Sequence, residues 1–286
     1  MYPIRIKADP RFFQMVFLGL FLGYGLLFLN WDRDLLFYGL FIATCLVVQY
    51  GADTWVRRSW ILPGHVWTGW RSALVTGLGL CFLLKTNDWY ICLLAASLSV
   101  LSKFLIRVRG KHLFNPSAFG ITATILLTGR AWLSPGQWGN NLPMVFLVCC
   151  LGCIVVTRVQ KLDTSLAFLL TFSGLLLFRQ VFFLHWPLDF FFKSISNGSL
   201  LIFSFFMISD PKTAPDHPMV RIAWAISIAG VAFYLSAFEW MYNTPIWTLV
   251  CAAPLVPILD HLFRFRRFEW SSPIRKQKIN HQKSIV

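Results

Sequence analysis

Charged residues are scarce in this chain of 286 residues: they make up 13% of it, whereas about a quarter is usual for a soluble domain. Hydrophobic residues make up 57%, and the mean hydropathy is +0.62. A chain this apolar cannot expose its surface to water on all sides, which excludes the soluble globular, disordered and fibrous classes and indicates a polytopic helical membrane protein. The apolar runs are continuous rather than alternating, which argues against a β-barrel.

The chain also lacks the common sequence signatures of disulfide frameworks, metal sites and hydrolases. All seven Cys residues lie within apolar runs, where Cys behaves as a small hydrophobic residue, and the cluster Cys149–Cys153 has no Cys or His partner at zinc spacing. The six His residues fall in loops or near the ends of apolar runs, which argues against a haem held by paired His residues. A Gly-rich phosphate loop, a Ser-His-Asp order and paired carboxylates are all missing, so a hydrolase is not indicated.

What the sequence does contain is ten apolar segments, each a candidate to cross a bilayer. A helix needs about 17–25 residues to span the hydrocarbon unless protein shields it, so the third and eighth segments are too short for ordinary spans. The first is of full span length and follows polar residues, which predicts no cleaved signal peptide. The segments are 12–29, 35–50, 72–84, 89–106, 113–129, 142–157, 164–184, 199–209, 222–238 and 244–263.

Basic residues are divided unequally between the two sets of loops that alternate along these segments. One set, with both termini, carries 21 of the 26 Lys and Arg residues, and the other set carries five. The positive-inside rule then predicts ten spans with both termini cytoplasmic, in a cell inner (cytoplasmic) membrane. Membrane topology thus explains the net charge of +14, and we expect the lipid bilayer rather than nucleic acid as a partner.

The two short segments occupy equivalent places in the two halves of the chain. Ser72–Lys85 aligns with Ser199–Lys212, 127 residues later, and each follows a polar stretch that contains Gly. Five segments per half is an odd number, so the second half would be inverted in the membrane. We therefore predict an all-α fold of about ten transmembrane segments in two inverted repeats, 1–129 and 130–263, with a basic cytoplasmic tail, 264–286. Broken segments in inverted repeats predict a binding site near the midplane.

Polar residues within or beside apolar segments are costly, which makes them the candidate site residues. Asn115 before Pro116 fits an ordinary helix cap as well as it fits a ligand role. Asp210 could also be a cap, although capping alone does not explain so short a segment, and Asp260 could pair with a nearby Arg. The residues expected around the cavity are Thr76, Asn115, Ser117, Ser204, Asn243 and Thr244, with Asp210 and Asp260 nearer the cytoplasmic face. Thr213 is a further candidate site residue.

Four stretches of the chain are similar to motifs of the NqrB/RnfD family, the large membrane subunits of the sodium-pumping NADH:quinone reductase and of the Rnf ferredoxin:NAD complex. The family motifs read S-A-L-x-T-G-L, F-N-P-A, T-D-P-V-T-A and P-L-I-D. They match, in the same order, Ser72–Leu78, His112–Ser117, Phe206–Ala214 and Pro254–Asp260. The resemblance implies ten helices in two inverted halves, a fold similar to that of urea transporters.

The resemblance also implies a flavin cofactor, with one departure from the family pattern. Family members carry FMN esterified to a Thr in an S-G-A-T-like motif after the fifth span, whereas the corresponding loop here, 130–141, contains no Thr. Covalent FMN is therefore not expected, and FMN or riboflavin would be held non-covalently between the repeats. Because the family works in multi-subunit complexes, other membrane or redox subunits are implied as partners.

Three functions remain open from the sequence. The first is a redox subunit in which a non-covalent flavin carries electrons, with ion movement as a possible coupled process. The second is a channel or transporter for a small polar solute, and the third is a cofactor-free scaffold. The missing Thr raises the second and third relative to the first.

The ten-span topology makes a direct prediction for reporter fusions. A fusion after Lys85 should be extracytoplasmic and a fusion after Arg264 cytoplasmic, because the basic residues accumulate on the side of Arg264. A reporter that is active only outside the cytoplasm, paired with one active only inside it, measures both positions. Finding the two fusions on the same side of the membrane would contradict ten spans.

Overall fold

The protein is all-α in the computed structural model, which describes residues 10–29, 31, 35–57, 67, 69–134 and 142–266. Of the predicted basic tail, only 264–266 fall within the described residues, and most of the 130–141 loop also falls outside them. Each of the ten apolar segments is helical. The helices are α1 (Pro10–Phe28), α2 (Leu35–Arg57), α3 (Gly69–Leu83), α4 (Trp89–Leu105), α5 (Pro116–Thr128), α6 (Leu142–Arg158), α7 (Leu162–Leu177), α8 (Leu188–Ile195), α9 (Gly198–Ile202), α10 (Pro218–Ala237), α11 (Thr244–Ala252) and α12 (Leu255–Leu262).

Four helices are long and apolar enough to cross a membrane: α1, α2, α10, and α7 together with the π-helical turn Phe178–Phe183. Two further spans are possible by length if each of two bent pairs counts as one. The first pair joins α8 to Gly198–Met207 at 50°, and the second joins α11 to α12 at 53°. The described residues therefore contain four to six candidate membrane spans, as expected for a membrane protein. The remaining apolar helices, α3 to α6, are shorter.

The two short segments lie at the centre of the protein rather than at its lipid-facing surface. In α3, nine of the residues between Ala73 and Leu83 are buried. In the structure the eighth segment is helical over Gly198–Met207, and every residue of that range is buried. This eighth segment consists of α9 and the π-helical turn Phe203–Met207. Phe206 in that turn contacts Phe21 of α1 edge-to-face, with ring centroids 6.3 Å apart. Longer helices thus surround both short segments.

Two small antiparallel strand pairs join helix ends that are distant in sequence. β1 (Leu84–Thr86), directly after α3, pairs with β4 (Ala131–Leu133), which follows α5. β2 (Arg107–Val108) and β3 (Lys111–His112) form a hairpin between α4 and α5. The first pair holds the end of α3 against the chain that leaves α5. The hairpin is the connection that delivers His112 and Asn115 to the start of α5.

Close packing between α4 and α5 depends on a Gly. A Cβ added to Gly120 would lie 2.8 Å from the carbonyl oxygen of Ala95 and would also overlap the hydroxyl of Ser99. Backbone atoms cannot rotate away, so any larger side chain would push the two helices apart. The two helices carry buried residues on both sides of this contact, including Val100 and Ile121.

We predict that Gly120→Ala destabilises the protein by about 1–3 kcal/mol, the usual cost of overpacking a filled interior. The matched control is Gly174→Ala in α7, where an added Cβ meets nothing within 4 Å. Thermal unfolding in detergent should show a lower Tm for Gly120→Ala only. Equal Tm values for the two variants would mean that α4 and α5 are not packed as described.

Candidate functional site

A polar cavity of about 140 Å³ lies where several helix ends meet, and we call it the first cavity. It is bordered by the starts of α1, α3 and α5 and by the end of the eighth segment. Apolar side chains, among them Leu18, Phe205 and Phe206, form part of its wall. The polar residues that line it are Arg11, Gln14, Ser72, Thr76, His112, Asn115, Ser117, Ser209, Asp210 and Lys212.

The α3 wall of the first cavity is held to α5 by hydroxyl groups. Ser117 donates a hydrogen bond through Oγ to the backbone carbonyl of Thr76, at 3.2 Å. The Thr76 hydroxyl in turn donates to the carbonyl of Ser72, at 2.8 Å. Gly79 allows this approach, since an added Cβ there would lie 2.8 Å from Ser117 Oγ. Both hydroxyls are therefore fixed by the backbone beside the cavity.

Asn115 caps α5 and also connects it to the eighth segment. Its Oδ1 accepts from the amide of Ala118 at 3.2 Å, as expected for a helix cap, and Pro116 occupies the first turn. Its Nδ2 donates to the carbonyl of Met207 at 3.4 Å. The capping interpretation is thus confirmed, and the same side chain lines the cavity, so a cap and a ligand-contacting group are compatible here. The start of α5 contributes partial positive charge to the cavity.

Asp210 and His112 are two titratable residues in the lining of the first cavity. Asp210 accepts from the amide of Lys212 at 3.0 Å, and its burial raises the pKa of its carboxyl above the ordinary value. Burial together with the neighbouring Arg107 lowers the pKa of His112 to about 4, so its ring is neutral at pH 7. Its Nδ1 lies 3.0 Å from the carbonyl oxygen of Lys103, which can only accept, so Nδ1 carries the proton and Nε2 remains an acceptor.

Lys103 is a buried cation directly behind the cavity wall. Only 2% of its surface is exposed, and its Nζ donates to Gln49 Oε1 at 3.3 Å and to both the carbonyl and the hydroxyl of Ser72, at 3.2 and 3.1 Å. Three neutral acceptors therefore satisfy the three ammonium hydrogens. Ser72 lines the cavity, so only this one side chain separates the charge of Lys103 from the cavity. The positive charge therefore contributes to the electrostatic potential there.

An ionic cluster holds together the loops that close this end of the protein. Lys111 Nζ lies 2.9 Å from Asp216 Oδ1 and 2.8 Å from Asp260 Oδ2, and it donates to the carbonyl of Ala214 at 3.1 Å. Asp260 also accepts from the backbone amide of Asp216, at 2.8 Å. Lys111 belongs to the β2–β3 hairpin and Asp260 to α12, so the cluster joins both halves of the chain. The expected pairing of Asp260 with an Arg is replaced by this pairing with Lys111.

A second cavity, of about 240 Å³, opens at the other end of the eighth segment. Asn243 contributes to it and donates through Nδ2 to the carbonyl of Leu133 at 3.2 Å, while its Oδ1 accepts from Ser199 at 3.2 Å. Thr244 donates to the carbonyl of Ala232 at 2.7 Å. The polar residues that line this second cavity are Gln180, Ser194, Asn197, Ser199, Ser236, Asn243 and Thr244.

The structure does not bring the nine candidate residues into one cavity. The first cavity is lined by Thr76, Asn115, Ser117 and Asp210, and the second by Asn243 and Thr244. Three candidates line neither: Ser204 bonds to the carbonyl of Leu200 inside the eighth segment, Thr213 is buried in the loop after it, and Asp260 sits in the ionic cluster. Thr76, Asn115, Ser117 and Asp210 thus lie near one end of the eighth segment, and Asn243 with Thr244 near the other.

Several residues that shape these cavities were missed by the sequence analysis. The sequence predicts Lys103 only as one of the basic residues on the cytoplasmic side. A Lys within an apolar helix is itself a signal of a polar or charged site inside the protein. Gln180 and Ser194 were not predicted because they lie outside the four stretches that resemble NqrB/RnfD motifs. Among the described residues, His, Cys, Asp and Glu form no group of three that could hold a metal ion.

Comparison with known proteins adds no assignment. No protein-family model matches the chain, and no curated protein matches it.

Removal of Lys111 should destabilise the protein, because two carboxylates of low exposure would lose their shared cation. We expect Lys111→Met to cost about 3–5 kcal/mol, the usual penalty for breaking a buried pair from one side. Lys193→Met, which breaks the exposed pair with Asp189, is the control and should have little effect. Thermal unfolding in detergent compares them. Adding Asp260→Asn to Lys111→Met should recover part of the loss, and an unchanged Tm for Lys111→Met would refute the cluster's role.

Proposed function

We propose that this chain is a subunit of a membrane electron-transport system that holds a flavin non-covalently in the first cavity. One observation carries the proposal: three of the four stretches that resemble NqrB/RnfD motifs line this single cavity. They contribute Thr76, Asn115 with Ser117, and Asp210. The fourth stretch reaches the same region through the contact between Asp260 and Lys111. Residues as far apart in the sequence as Thr76 and Asp210 thus line one space.

The chemistry of the cavity suits the polar edge of a flavin. The N-terminus of α5 favours the electron-rich pyrimidine carbonyls, and Asp210 and His112 Nε2 are acceptors for a ring N–H. A bound flavin would supply the electron-transfer chemistry, while the protein orients the ring and sets the surrounding charge. Lys103, one residue behind the wall, would favour a ligand that gains negative charge.

The size of the cavity adds a requirement. Pockets for drug-sized ligands usually start at about 300 Å³, which exceeds the volume described here. Accommodating a flavin ring therefore requires the apolar wall formed by Phe205 and Phe206 to move outward. Those two side chains belong to the π-helical turn of the eighth segment, a geometry that is often found at functional sites.

We also infer that the ten helical segments form two inverted repeats, with both termini cytoplasmic and other redox or membrane subunits as partners. Hydrogen bonds at matching positions support the repeat. Asn115, before segment five, donates to the carbonyl of Met207 at the end of the eighth segment. Asn243, before segment ten, donates to the carbonyl of Leu133, whose strand pairs with the end of α3. In each half, an Asn before the last segment thus donates to a backbone carbonyl: Met207 O at the end of the eighth segment, and Leu133 O in the strand that pairs with β1 after α3.

Purified protein should carry a flavin visible in its absorbance spectrum, and Thr76→Trp should remove it. The Trp side chain would fill the space beside Thr76, which is almost fully buried. Leu126→Trp, on the exposed face of α5, is the matched control and should keep the flavin. Acid precipitation of the wild type should release the flavin into the supernatant, since no ester bond to the 130–141 loop is available.

Three results would contradict this proposal. Wild-type protein without any flavin would favour a cofactor-free scaffold. Full flavin content in Thr76→Trp would place the flavin elsewhere. Flavin fluorescence that stays with the protein band on a denaturing gel would mean that another residue forms a covalent bond.

A further inference from the structure

The two cavities lie at opposite ends of the same short helical segment. Asn197 and Ser199, at the start of the eighth segment, line the second cavity, and Met207 and Asp210, at its end, line the first. The segment Gly198–Met207 has ten residues, so it is about 15 Å long. The hydrocarbon core of a bilayer is about 30 Å thick. Only about half of that thickness therefore separates the two cavities.

The described residues that line the second cavity carry no charge. Amide and hydroxyl groups from Gln180, Ser194, Asn197 and Ser199 provide hydrogen-bond donors and acceptors, and Phe172 with Phe203 provides an apolar wall. An ion that entered this space would lose hydration without gaining a counter-charge. A small uncharged molecule that both donates and accepts hydrogen bonds is the ligand class that this lining favours.

A layer of aromatic side chains separates the cavities. Phe203 is fully buried and contacts Phe168 of α7, with ring centroids 4.9 Å apart, while Phe206 contacts Phe21 from the other direction. Phe203 lines the second cavity and Phe206 the first. Because the two side chains lie three residues apart on one segment, rotation of both is the change that we expect to join the two spaces.

We infer that the two cavities are the ends of one transmembrane route for a small uncharged polar solute, closed by Phe203 and Phe206. The first cavity has charges of both signs, from Asp210 and Lys212, which a neutral solute can pass. This inference goes beyond the proposed flavin site. The two are linked in one respect, because a flavin in the first cavity would block the route.

Swelling of proteoliposomes in formamide or glycerol gradients, followed by light scattering, tests this route. Flavin-free wild-type protein should give swelling several-fold faster than protein-free liposomes. Ser236→Trp, which fills the second cavity, should abolish the increase. Ser227→Trp places the same side chain on the exposed face of the same helix, α10, and should swell like the wild type. Phe203→Ala should accelerate swelling.

The result that overturns the inference is wild-type swelling no faster than that of empty liposomes, or full swelling in Ser236→Trp. Riboflavin added back to the same preparations, with the bound fraction measured, reports on the first cavity alone. Folding of each variant is checked by its elution as a single species in detergent. Flavin binding without swelling would reject the route and leave the flavin proposal standing, whereas swelling that added riboflavin does not slow would separate the route from that proposal.

Discussion

The architecture depends on the rule that backbone N–H and C=O groups must find partners when no water is present. Two segments, α3 and Gly198–Met207, are too short to cross the hydrocarbon as single helices. The backbone groups at their ends therefore need partners from the protein. Both segments lie at the centre, with α1, α2, α7 and α10 among the helices outside them. Their ends are satisfied by protein instead: Leu83 O accepts from Ser134, and Met207 O accepts from Asn115. The two cavities lie at the two ends of the eighth segment, and α3 lines the first of them.

The helical segments could be predicted from the sequence because continuous apolar runs leave few alternatives to helix in a membrane. The structure adds elements whose signals are weak. α8 spans only two turns, and its mixture of Phe residues with Asp189 and Lys193 does not form a long apolar run. The strands β1 to β4 have two or three residues each and exist through their pairing rather than through local preference. The number of spans is not fixed by composition alone, because bent pairs meet the length criterion only jointly.

The candidate site was predictable in its chemistry but not in its distances. Asn115 was recognised from the Asn-Pro start of a helix, and the structure gives it both a capping role and a place on the cavity wall. Asn243 has a weaker form of this signal, with Pro two residues later, and lies in the other cavity, since its helix begins at the other end of the eighth segment. Lys103 could not be assigned to the first cavity because its partners, Gln49 and Ser72, come from two other helices. Residue type indicates polarity, whereas only packing between helices determines which polar groups meet.

The cluster around Lys111 has a consequence for the biosynthesis of the protein. Lys111 emerges from the ribosome about 150 residues before Asp260, which completes its coordination. During that interval the ammonium group lacks one of its two carboxylate partners, although Asp216 and Ala214 are synthesised before Asp260. The ionic cluster can therefore be completed only after α12 has been synthesised. A ribosome that stalls in the last helix would leave a chain with nearly all of its helices and an incomplete ionic cluster between its two halves.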